Sequence, residues 1–142
     1  MRNVDEVLEN GRGILDPVLE SHGFKWVPGQ SGASSGGPFA SGEYVRGNRR
    51  LEIHLRYSLG MVTYHVGESS VEHISYMRVL LGPHGNNQYP GFNADPLNAF
   101  RGLANDLGRF CSVFLSGSDS EFEVIASEVA ADSKVKGAKR LP

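Results

Sequence analysis

Between Phe39 and Val66 apolar and polar residues alternate with a period of two. Leu51, Ile53, Leu55 and Tyr57 point one way, and Arg50, Glu52, His54 and Arg56 the other. The segment reads as three antiparallel strands with one apolar and one polar face. Gly47-Asn48 supplies a two-residue hairpin turn, and Leu59-Gly60 is read as a second one. Those turns pair Tyr57 with Val62, Leu55 with Tyr64 and Ile53 with Val66, all on the apolar face. On the polar face they pair Arg56 with Thr63, His54 with His65, Glu43 with Glu52 and Ser41 with His54.

Helical spacing governs the rest of the chain. Val4, Val7, Leu8, Leu15, Val18 and Leu19 mark a helical segment over 4–22, where Gly11, Gly13 and Pro17 predict a kink or two helices. Asp16 is placed to cap a restart before Pro17, and Gly23 to stop the segment. Phe24–Val27 reads as a short strand with Trp26 packed in the core, and 29–37 as a glycine-rich linker. That linker lacks the Gly-Lys-Ser/Thr ending of a phosphate loop. Ser69-x-x-Glu72 reads as a capping box opening a helix over 70–81, buried through Val71, Ile74, Met77 and Leu81. His73, Tyr76 and Arg78 then fall off the stripe, with His73 exposed and Tyr76 and Arg78 open to a partner. Gly82-Pro83 ends this helix, and 82–94 is a long loop carrying Tyr89 and Phe92.

Asp95-Pro96 opens the next helix, with the stripe Leu97, Phe100, Leu103, Ala104, Leu107, Cys111 and Phe114. Ser118-x-x-Glu121 caps the last, with Phe122, Ile125, Ala126 and Val129 inward. The order predicts an α+β fold: an antiparallel sheet of three to four strands, with an N-terminal helical segment and three C-terminal helices packed on one face.

A chain of 142 residues suits one domain, placed at 1–133 with a basic, flexible tail at 134–142. The net charge is −2, but all 16 acids precede residue 133. Lys134, Lys136, Lys139 and Arg140 leave ten basic residues against those 16 acids in the body, a net −6. That balance argues against a nucleic-acid binder. No apolar run suits a membrane span, and acids occupy the N-terminus where a signal peptide is apolar, so a cytoplasmic protein is expected. The single cysteine, Cys111, excludes an internal disulfide and reads as a buried structural thiol.

The chemistry concentrates on the polar sheet face. Opposed Glu43 and Glu52 repel, and a metal held by Glu43, Glu52, His54 and His65 is one relief. Arg50 and Arg56 are another, and a solvated or partner-binding face needs no metal. No nucleophile–base pair or phosphate loop is evident, so no catalytic residue and no cofactor is expected. The run EYVRGNRRLEIHLRYSLGMVTYHV, then VEHISYM and YPGFNADPLNAFRGLANDL, resembles small bacterial α+β domains of the immunity-protein type. The likeness covers most of residues 39–110 and rests on size, element order and style. It implies a non-catalytic partner of another protein, such as a basic toxin. The charged, aromatic-flanked surface itself singles out Arg56, Tyr89, Glu52, His54, Arg50 and Phe92 as contacts. The alternatives are a small metal-dependent hydrolase built on the His/Glu cluster and a secretion-type chaperone, the latter implying a homodimer.

Overall fold

The computed structural model describes residues 4–34, 37–56, 58–90 and 95–140. Helix α1 (Val4–Glu20) leads into five strands: β1 (Lys25–Ser34), β2 (Gly37–Arg46), β3 (Arg49–Leu55), β4 (Leu59–Val66) and β5 (Ser69–Glu72). Helices α2 (His73–Leu81), α3 (Pro96–Phe110), α4 (Ser112–Ser116) and α5 (Asp119–Arg140) follow. The strands form one antiparallel meander in the order β1-β2-β3-β4-β5. The α+β class is as expected; the sheet has five strands, and four helices follow it.

The apolar face lies where the alternation places it. Leu51, Ile53, Leu55, Val62, Tyr64 and Val66 are buried with Val71, under Leu15 and Leu19 of α1, Phe100, Leu103 and Leu107 of α3, and Phe114 and Phe122. Tyr57 lies outside the described residues. Tyr64 is the aromatic hub, edge-on to Tyr76 and Phe114.

Four expectations need correction. First, α1 is one continuous helix with Pro17 inside it, so the two-helix alternative is corrected, and Asp16 caps no restart but accepts from the Tyr44 hydroxyl at 2.6 Å. Second, the stretch after Val27 is strand rather than linker. It pairs with β2 across an irregularity between Pro28 and Ser31, where Ser41 Oγ bonds both main-chain groups of Gln30. Third, β3 and β4 do not turn at Leu59-Gly60: Leu59 is buried within β4 and pairs with Leu55. His54 therefore faces Met61, and His65 faces Arg50. Fourth, Ser69–Glu72 is a strand and no capping box, since the Gly67 turn (φ 58°) closes a hairpin there first.

The fourth change rotates α2. Beginning at His73, it buries His73, Tyr76 and Met77 and leaves Ile74 58% exposed. Arg78 pairs with Asp132 of α5 at 3.3 Å. The expected helix over 96–114 is broken at Cys111 into α3 and α4. Its start is as read: the Asp95 side chain accepts from the Leu97 N–H at 3.0 Å. Ser118 and Glu121 exchange their capping bonds ahead of α5. The α5 backbone continues to Arg140.

Two arginines join the sheet to the helices. Arg46 and Arg49 are directly opposed at the β2–β3 hairpin, on the covered side. Arg49 is 5% exposed and donates to the carbonyls of Val113, Phe114 and Gly117 and to Asp119. Arg46 donates to the carbonyls of His22 and Leu115. Their charges are met by main-chain carbonyls around the short α4, by the His22 carbonyl and by Asp119.

Candidate functional site

The helices cover one face of the sheet; the other face carries its charge in rows. One row crosses all five strands as Val27, Glu43, Glu52, Thr63 and Glu72. The next runs Lys25, Val45, Arg50, His65 and Ser70. Glu43 and Glu52 are cross-strand neighbours, as their sequence positions implied. Their repulsion is offset by diagonal and same-strand partners. Arg50 Nη1 donates to Glu43 Oε2 at 2.9 Å. His54 Nε2 lies 2.6 Å from Glu52 Oε2, and His65 Nε2 lies 2.8 Å from Glu52 Oε1.

A carboxylate only accepts, so both imidazoles carry a proton on Nε2. His65 Nδ1 shares a hydrogen bond of 2.7 Å with the Ser70 hydroxyl. The hydrogen bond from His54, with that from His65, holds the Glu52 carboxyl below its ordinary pKa against a smaller opposing effect of burial. His54 and His65 are thus joined through Glu52, not as the cross-strand pair expected.

This arrangement does not converge on a metal. Glu52 spends both oxygens on imidazoles, and Glu43 turns to Arg50. Among the described residues no group of three or more His, Cys, Asp or Glu side chains could hold a metal ion. The four residues of the metal alternative, Glu43, Glu52, His54 and His65, are instead engaged with Arg50, Ser70 and one another.

The other expected contacts divide. Arg56 is exposed, lies over the Phe39 ring at 5.7 Å and donates to the Gly37 carbonyl at 3.1 Å. Arg50, Glu52 and His54 lie on the open face. Tyr89 does not: it is 4% exposed, and its hydroxyl donates to the carbonyls of Leu59 and Gly60. It pins its loop to the sheet, so its expected role as a surface anchor is corrected. Phe92 lies outside the described residues.

A second polar cluster went unread in the sequence. His73 Nε2 lies 2.9 Å from Asp106 Oδ2, and His73 Nδ1 lies 2.6 Å from the Tyr64 hydroxyl. Asp106 also accepts the main-chain N–H of Gln88 at 2.6 Å and of Tyr89 at 2.7 Å. Burial alone would push the Asp106 carboxyl up. The bonds from His73, Gln88 and Tyr89 together outweigh it and hold the group below its usual value. The Cys111 thiol, 3.6 Å from the Tyr64 hydroxyl, is pushed up to about 12 by burial, which suits a packed thiol and not a nucleophile.

The Tyr-His-Asp order invites a catalytic reading, but both imidazole nitrogens are engaged and Tyr64, His73 and Asp106 are at most 1% exposed. The cluster ties β4, α2, α3 and the 87–89 loop together. The only sequence signal for it was polar residues at positions whose helical neighbours are apolar.

No family model, curated protein or solved structure matches the chain. Among the described residues no helix is long and apolar enough to cross a membrane.

Proposed function

We propose that the protein acts by binding another protein through the open face of its sheet, without catalysis. The observation that carries this reading is the bracing of that face. Glu52, His54, His65 and Ser70 form a connected chain of hydrogen bonds beside the Arg50–Glu43 pair, so polar groups are held in place before any partner arrives. Val27 and Met61, 45% and 50% exposed, add apolar contact among them.

Two depressions formed by described residues suit this reading. One, of about 120 Å³, lies beside Val27, Glu43, Glu52 and His54; another, of about 150 Å³, lies between β4 and α2. Both fall below the ~300–1,000 Å³ of small-molecule sites, and each suits a single side chain of a partner. A basic toxin, the partner implied by the immunity-type resemblance, agrees with the acidic balance of residues 1–133.

The test is covalent capture. A photo-crosslinking residue at Thr63, on the open face, is compared with one at Val124 of α5, which is also exposed. Capture of one partner from Thr63 and not Val124 is expected, with binding weakened by Arg50→Ala and His54→Ala at unchanged melting temperature. Capture from Val124 alone, or full binding by both alanine variants, would overturn the reading.

A further inference from the structure

We propose that the groove between β4 and the start of α2 is an anchor site that takes an arginine or lysine side chain of the protein partner. This rests on the protein-binding reading and adds the chemistry of one contact. The groove lies at the β5 edge of the open face and is bounded by Gly60, Met61, Glu72, Ile74 and Tyr89. Its floor is rigid, since the Tyr89 hydroxyl bonds the carbonyls of Leu59 and Gly60. Two of its walls are apolar side chains left in water: Met61 is 50% exposed and Ile74 58%.

Glu72 supplies the charge. It stands at the N-cap of α2, yet its side chain makes no capping bond. Among the described residues it has no hydrogen-bond or ion-pair partner, while Glu43 and Glu52 on the same row are both engaged. Apolar walls beside one unengaged carboxylate select the occupant. A purely apolar side chain would cover Glu72 without replacing its water. An acidic one would be repelled. Arginine and lysine alone combine an aliphatic stem, which packs on Met61 and Ile74, with a cationic head for the carboxylate. The volume of about 150 Å³ admits one such side chain. Met61 and Glu72 also belong to the open face itself, so a partner seated there reaches the groove without a second docking step.

The experiment uses the whole protein with its methionine and isoleucine methyls labelled for NMR. The probe is acetyl-Ala-Leu-Arg-Leu-Ala-amide, compared with the same peptide carrying uncharged citrulline for arginine. Saturable shifts of the Met61 and Ile74 methyls are expected with the arginine peptide. The apparent affinity should fall roughly threefold with the citrulline peptide and in Glu72→Gln, as for an exposed ion pair. Absence of a saturable shift at these methyls, or equal affinity for both peptides, overturns the proposal. Equal affinity in Glu72→Gln, with the remaining spectrum unchanged, does so as well. Capture from Thr63 reads the wider face separately, so the groove can fail while the protein-binding reading stands.

Discussion

His73 Nε2 sits 2.9 Å from Asp106 Oδ2, and neither side chain reaches solvent. The pair closes the gap between α2 and α3. Through Asp106 it also satisfies two main-chain N–H groups of the 87–89 loop. Asp106→Asn keeps the shape but puts an amide donor where the carboxylate accepts from donors on both oxygens. A loss of roughly 3 kcal/mol in urea unfolding is expected, because buried donors are left unpaired. A loss under 0.5 kcal/mol would show that water replaces the carboxylate.

The same carboxylate sets an acid limit. Its folded pKa lies below its unfolded value of 3.8, so its contribution to stability is complete above that value. The contribution is lost as pH falls through the folded pKa, when the native state must take up the proton. Wild-type stability is therefore expected to drop below about pH 4. The drop should be smaller in Asp106→Asn. Parallel stability–pH curves for the two proteins would assign the acid sensitivity elsewhere.

Leu55 and His54 are adjacent in the chain and lie on opposite faces of β3. Leu55→Ala removes a side chain that is 1% exposed and should cost about 2–5 kcal/mol. His54→Ala, on the open face, should stay within about 0.5 kcal/mol. Denaturant melts of the two variants test the sheet's orientation directly; a reversed order would place the helices on the wrong side.

Arg49→Lys keeps the charge and loses the fork that reaches three carbonyls and Asp119. A loss of roughly 2–4 kcal/mol is expected, since several charge-assisted bonds go together. The readout is thermal unfolding, with hydrogen exchange at 113–119 rising more than at α1. Uniform exchange across the chain would mean that Arg49 contributes charge alone.

Gly42 lies against the Trp26 ring, and a Cβ there would overlap the ring atoms. Gly42→Ala should push Trp26 off its edge-on contact with Tyr44, 5.0 Å between centroids, at about 1–3 kcal/mol. A red shift of the single-tryptophan fluorescence reports the displacement; an unchanged spectrum would show that β2 moves instead.

Much of this was legible along the chain because it is local. Asp95-Pro96 and Ser118-x-x-Glu121 open helices because cap and first turn are neighbours in sequence. Ser69-x-x-Glu72 has the same spelling, yet it pairs with Thr63–Val66 as β5. There a cross-strand ladder competes with a helix cap, and the sequence alone does not rank the two. Trp26, expected in the core, stays half-buried at its rim, under the Arg12 guanidinium at 4.9 Å.

The alternation within β3 and β4 by itself determined which residues face the helices. It determined this even though the turn was placed wrongly. Leu55 was expected opposite Tyr64, and Leu51 stands there instead, a slip of four residues. An even slip preserves the side on which each side chain points, so Leu51, Ile53, Leu55, Val62, Tyr64 and Val66 all reached the core. Cross-strand partners carry no such protection. Only the tertiary structure decided that His65 meets Glu52 diagonally and that His73 turns inward to Asp106. Those contacts depend on where a turn closes and where a helix begins, and both are set by the burial of residues distant in sequence.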